Sequence, residues 1–305
     1  MSRLVTRSDF DGLACAMMLK ELGLIDDIKF VHPKDVQDGK IELSDNDITT
    51  NLPFDPRVKL AFDHHVSETE RLDTDSYENL IIDENAKSAA RVLYNYYGGA
   101  ETFKTISSEL LDAVDKGDSA DFTFEEIIHP TGWVLLHYIM DARTGLGRFH
   151  HFRISNYDLM MELIDYCRYH TIDEILELPD VKERVDLYFE QQEKFKAQVE
   201  KIHRIIGDVV VLDLRNEDVI YTGNRFMVYA MFPDKKISVH IVWGKDKQNT
   251  AVMIGKSILN KSSKVNIGDI CLKYGGGGHA NAGTCQLEND KVDEELPNII
   301  SLLNQ

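Results

Sequence analysis

Val58-Lys59-Leu60-Ala61-Phe62-Asp63-His64-His65 decides the reading of this chain. An apolar run stops abruptly at a carboxylate and two imidazoles, the pattern of a buried strand delivering polar groups to the carboxyl edge of an open α/β sheet. Upstream, the apolar segment around Leu4-Val5 runs in the same way into Asp9-Phe10-Asp11-Gly12. Oxygen and nitrogen donors at two such strand ends suit a divalent ion such as manganese or zinc. A metal-assisted hydrolase is the first functional expectation.

Outward from these two stretches the first half alternates. Leu4-Val5, Ile28 to Val31, Asp47 to Thr50 and Val58 to Phe62 are expected strands, and Leu13, Met17 and Leu22 mark a helix stopped by Gly23. Turn formers Asn51-Leu52-Pro53 and Asp55-Pro56 separate the later strands. Helices are expected at 88–97, 107–114 and 133–140, then from Asn156 to about Ile206, where Gly207 ends a long connecting helix. Val209 to Leu212, Lys236 to Trp243 and Thr250 to Ile254 are rich in β-branched residues, with helices expected at 224–232 and 267–274. The expected fold is α/β: a domain at 1–180 with a mainly parallel sheet flanked by helices, a connecting helix at 181–206, and a smaller α/β domain at 207–305.

Composition limits the partners. The 305 residues are 43% apolar, enough for real cores, and carry a formal charge of −18. Such a surface repels long duplex DNA, and no apolar run approaches the ~18 residues of a membrane span, so small phosphate esters in the cytoplasm are the expected context. Cys15, Cys167, Cys271 and Cys285 are scattered without CxxC pairing and read as mostly buried thiols.

Gly275-Gly276-Gly277-Gly278-His279 is the third informative stretch. Consecutive glycines lose much conformational entropy on folding, so they are kept where backbone approaches something closely or takes positive φ. Their amides can cradle phosphate oxygens, with His279 adding a donor.

In this order, Asp9-Phe10-Asp11-Gly12, Asp63-His64-His65, Ala113-Val114-Asp115 and the distal GGGGH resemble the DHH/DHHA1 phosphoesterase superfamily, which includes RecJ-type exonucleases, nanoRNases and exopolyphosphatase-like proteins. The resemblance covers nearly the whole chain. It implies an active site in an interdomain cleft and one or two divalent ions, usually Mn2+, with Mg2+ as an alternative. It implies Asp9, Asp11, His64 and Asp115 as ligands, His65 beside the scissile phosphate, and Gly276, Gly277, Gly278 and His279 as a substrate-binding loop.

Two positions depart from the family pattern. Arg7 stands where many relatives have a ligating histidine, and Asn51 stands at the strand end where a bridging aspartate is expected. A guanidinium cannot ligate, and an amide oxygen bridges metals poorly. The expectation is therefore that one metal site persists on Asp11, His64 and Asp115 while the other is weakened, with Arg7 contacting the substrate phosphate in its place. Asp118, one turn beyond Asp115, is a replacement ligand or an exposed helix-end carboxylate. Arg143, in the basic segment that runs through His150-His151 to Arg153, either grips a phosphate or belongs to a solvated loop.

The reaction the resemblance implies is hydrolysis of phosphodiester bonds in short oligonucleotides or linear or cyclic dinucleotides. An exopolyphosphatase-like phosphoanhydride hydrolase and a non-catalytic nucleotide-binding relative are the alternatives. Homodimerisation stays open.

Overall fold

The computed structural model describes residues 1–65, 76–149 and 151–305, so His150 lies outside the described residues. Two compact units divide the chain. Met1–Phe122, Pro130–Ala142 and Leu146–Asp186 form the first; Thr123–His129, Arg143–Gly145 and Leu187–Gln305 form the second.

In the first unit, strands β1 (Ser2–Arg7), β2 (Ile25–Val31), β3 (Asp47–Thr50), β4 (Leu60–Asp63) and β5 (Leu80–Ile82) make a sheet of order β2-β1-β3-β4-β5. Every neighbouring pair in it is parallel. Its helices are α1 (Phe10–Glu21), α2 (Pro33–Gln37), α3 (Ala89–Tyr96), α4 (Ser108–Ser119), then α6 (Gly132–Met140), α7 (Asn156–Tyr169) and α8 (Ile172–Leu176), α5 (Phe124–Ile128) belonging to the second unit. A parallel sheet is buried on both faces, and alternation along the strands shows it. Leu4, Ile48 and Phe62 face a core shared with α1, α3 and α4, while Val5, Ala61 and Leu80 face a smaller cluster with Leu43, Leu52 and Phe54.

Helix α1 is apolar all round because it is enclosed: every residue from Phe10 to Leu19 is buried. It can start so close to β1 only because residue 12 is glycine. A Cβ there would lie 2.1 Å from the Arg7 carbonyl oxygen. This tight turn presses Asp11 into the interior at the carboxyl end of the sheet.

Helix α9 (Pro179–Ile202) leads into the second unit, whose strands are β6 (His203–Ile206), β7 (Val209–Asp213), β8 (Ile237–Trp243), β9 (Thr250–Lys256), β10 (Gly277–His279) and β11 (Ala282–Leu287). They form a mixed sheet of order β10-β11-β9-β8-β7-β6, with α10 (Met227–Met231), α11 (Ile267–Lys273) and α12 (Val292–Leu303) in the same unit. Val239, Ile241, Val252 and Ile254 pack with residues of α11 and α12 in one core.

Two local expectations change. The long helix ends at Ile202, and His203–Ile206 is a strand antiparallel to β7, so Gly207 at φ 61° makes a hairpin turn instead of a helix stop. The second half of the glycine stretch, Gly277–His279, is an edge strand, β10, instead of a loop. No helix among the described residues is long and apolar enough to cross a membrane.

Candidate active site

The carboxyl ends of β1, β3 and β4 and the first turn of α1 assemble the site. Asp9 is the N-cap of α1 and accepts from the Gly12 amide at 3.0 Å, while Arg7 Nε pairs with the other Asp9 oxygen at 3.0 Å. Asp9 thus serves as a helix cap and as an ion-pair partner.

Asp11 is buried and held from two directions. The Asn51 amide Nδ2 donates to its Oδ2 at 2.7 Å, and the first amides of α3 donate from Ala89 at 3.2 Å and Ala90 at 2.8 Å. Asn51 follows β3 with φ 54°, a left-handed conformation that asparagine tolerates better than most residues. Its Oδ1 is buried without a hydrogen-bond partner.

His64 and His65 leave β4 in a turn stabilised by Asp63. The Asp63 Oδ1 accepts from the His64 amide at 2.7 Å and the His65 amide at 3.2 Å, and it lies 2.7 Å from His65 Nδ1. That contact fixes the His65 ring and its tautomer. His64 Nε2 sits 2.7 Å from Asp118 Oδ2 on α4.

One ligand atom each from Asp11, His64 and Asp118 lies within 4.8 Å of the others. Three separate elements supply them, and two carboxylates with one imidazole suit a divalent ion. Asp63, His64 and His65 also cluster, but there Asp63 is already committed to the turn. The charges agree with a cation site. Burial first, then the Asp118 and Asp9 charges, push Asp11 up to about 8. Burial alone would depress His64, yet the Asp118 hydrogen bond and the surrounding carboxylates raise it to about 9. Without an ion, a proton on these groups supplies the missing positive charge.

Asp115 faces a different partner. Ser88 Oγ donates to it at 2.7 Å, Arg91 Nε at 2.8 Å, and Arg91 Nη2 lies 2.6 Å away. In place of the expected Asp115, the structure brings Asp118 to His64, because Arg91 neutralises Asp115 one turn earlier on α4. Ser88 also N-caps α3, whose amides hold Asp11, so Asp115 supports the site from behind. Sequence reasoning missed Ser88, Arg91 and the orienting role of Asp63; the serine that opens the helical pattern at 88–97, a residue suited to an N-cap, was the only local signal.

Gly276, Gly277, Gly278 and His279 lie in the second unit. A Cβ on Gly276 would meet the Thr284 carbonyl oxygen at 2.1 Å, and one on Gly278 the Ala282 oxygen at 2.3 Å, so β11 itself demands those two glycines. At Gly277 a Cβ would meet nothing within 4 Å. Arg143 is exposed in a short 3-10 turn, Ala142–Thr144, and Phe152 further along that segment stacks under the Arg184 guanidinium at 4.1 Å.

No family model and no curated protein matches the chain. Among solved structures it is similar to a pGpG-specific phosphodiesterase from Vibrio cholerae, at 53% identity over 99% of both chains and a TM-score of 0.86. An exopolyphosphatase-related protein from Bacteroides fragilis is 12% identical, covering 98% of this chain and 92% of that one, with a TM-score of 0.53. The DHH domain of a member of the s1p family of ribosomal proteins is 11% identical over 100% and 87%, with a TM-score of 0.52. The last two show a shared fold. With side chains that could hold a metal ion at the carboxyl edge of the parallel sheet and a relative more than half identical along its length, the chain belongs to the DHH/DHHA1 phosphoesterase superfamily.

Proposed function

We propose that this phosphoesterase hydrolyses the phosphodiester bond of a linear dinucleotide of the pGpG kind, using a single divalent ion, manganese or magnesium, held by Asp11, His64 and Asp118. The observation that carries the reading is the convergence of those three side chains in a chain so similar to a pGpG-specific phosphodiesterase. When bound, the ion supplies the Lewis acid that activates water for attack on phosphorus.

The remaining roles fall to the protein's own groups. Arg7 offers a fixed cation to the phosphate oxygens as negative charge develops. His65, oriented through Nδ1 by Asp63, presents Nε2 to the leaving oxygen.

Asn51 and Asp9 support one ion in preference to two. Asn51 donates its amide to Asp11 where a second carboxylate would have to bridge, and Asp9 is engaged by the α1 amide and Arg7. The net charge of −18 favours a dinucleotide over a long polymer.

The test is hydrolysis of pGpG, bis-p-nitrophenyl phosphate and polyphosphate with and without Mn2+, with His64→Ala as control. The expected result is metal-dependent release of GMP from pGpG, faster than turnover of polyphosphate and lost in His64→Ala. Absence of turnover on pGpG, or a His64→Ala enzyme as fast as wild type, overturns the proposal.

A further inference from the structure

Helix α6 carries a buried histidine that the chemistry above does not use. His137 lies in the first unit, and its ring packs beside residues adjacent to two of the site carboxylates. On one side its centroid is 6.0 Å from that of Phe10, the residue between Asp9 and Asp11. Trp133, one turn earlier on α6, stacks on the same phenyl ring at 6.3 Å, so two side chains of one helix face hold Phe10. On the other side is the end of α4. Gly117 immediately precedes Asp118, and Phe122 follows it beyond the helix end with its ring centroid 5.4 Å from that of His137.

Gly117 is the informative position. Glycine inside a helix is unfavourable beside alanine, and here the imidazole supplies the local reason for it. A Cβ on residue 117 would run into Cε1 and Nδ1 of His137. The ring therefore lies directly on the α4 backbone, at the turn from which Asp118 reaches His64 Nε2. Asp11 and Asp118 come from two different helices, yet an ion accepts ligand distances only within about 0.2 Å of its preferred values. Close-packed cores yield little, so a side chain wedged between two elements transmits its size to their spacing. One imidazole bridges Phe10 and Gly117 in this way.

We propose that His137 is a positioning residue of the metal centre: wedged between Phe10 and Gly117, its ring sets the separation of the two turns that carry Asp11 and Asp118. The proposal rests on the single-ion reading above. The role is steric, so it depends on the volume of the side chain and not on its charge. Without the ring, α4 settles towards α1 and the Asp118 carboxylate shifts relative to Asp11. A core residue with no such role would lower stability and leave the ligands in place.

The test compares Mn2+ binding by titration calorimetry with urea unfolding for wild type, His137→Ala, His137→Leu, Gly117→Ala and the double variant Gly117→Ala/His137→Ala. Leu43→Ala is the control, because Leu43 is buried in the cluster on the other face of the sheet. His137→Ala is expected to weaken Mn2+ binding about tenfold or more, the size of effect that supporting residues of metal sites show. Leu43→Ala is expected to lose stability while binding Mn2+ within about twofold of wild type, as remote sites act independently. His137→Leu, close to histidine in volume and uncharged, is expected to stay within about threefold. Gly117→Ala meets the same contact from α4: it is expected to weaken Mn2+ binding in the wild-type background and to cause no further loss beside His137→Ala, where the added methyl has room. It also keeps the test decisive should His137→Ala fail to fold. Mn2+ affinity unchanged in both His137→Ala and Gly117→Ala, a loss in Leu43→Ala as large as theirs, or a tenfold loss in His137→Leu overturns the wedge while leaving the single-ion reading intact. Wild type that binds no Mn2+ overturns that reading itself.

Discussion

Replacing Asn51 by aspartate tests the electrostatic logic of the site. The wild-type amide donates to the buried Asp11 carboxylate at 2.7 Å, a charge-assisted hydrogen bond worth about 1.5–3 kcal/mol. In Asn51→Asp the donor becomes a second carboxylate at the same distance. Two unit charges 2.7 Å apart repel by about 6 kcal/mol at an effective dielectric constant of 20. One of the pair takes up a proton to relieve this, as carboxylate pairs sharing a site do. The net loss of stability in the metal-free protein is therefore about 3–5 kcal/mol at about pH 9, above the value of about 8 to which Asp11 is pushed, and smaller at neutral pH, where Asp11 already holds a proton. Urea unfolding in EDTA measures it. Adding Mn2+ is expected to restore most of the loss, and isothermal titration calorimetry to show a second ion bound by Asn51→Asp but not by wild type. Equal stability of the two proteins in EDTA would refute the reasoning.

Three further outcomes follow from the same geometry. Gly276→Ala is expected to lower stability by about 2 kcal/mol or more because its Cβ meets the Thr284 carbonyl, whereas Gly277→Ala folds with wild-type stability; thermal melts of both separate the two. Asp115→Asn is expected to cost about 1–2 kcal/mol by removing one of the two carboxylates on Arg91, Asp112 remaining at 3.0 Å, and to weaken Mn2+ binding by loosening the α3 cap on Asp11; denaturant unfolding and metal titration read the two effects. At Asp47, burial alone would raise the carboxyl, but hydrogen bonds from Arg3 and Ser44 hold it below the usual range. A depressed folded-state pKa gives stability present at neutral pH and lost as pH falls below about 4, so the gap between wild type and Asp47→Asn in urea unfolding is expected to narrow there.

The parts of the fold and site visible in sequence were those set by local pattern. Asp63-His64-His65 after Phe62, and Asp9-Phe10-Asp11 ahead of an apolar helix, show where strands end, and the parallel sheet puts those ends together. What stayed hidden depended on remote partners. Asp115 and Asp118 sit one turn apart on α4, and the choice between them is made by Arg91 and Ser88, more than twenty residues upstream. Gly207 reads equally well as a helix stop or a hairpin turn until β7 offers His203–Ile206 a partner. Glycines carry little strand preference, so β10 is defined by its register with β11 alone. Asn51 was recognisable as a departure, but its donation to Asp11 became visible only when β3 and α1 were set side by side.

The most direct measurement is the anomalous difference map of a crystal soaked in Mn2+, collected at the manganese edge. One peak per chain, ligated by Asp11, His64 and Asp118 with Asp115 still on Arg91, is the predicted result. A second peak ligated by Asp9, or a single peak that excludes Asp118, would contradict the account.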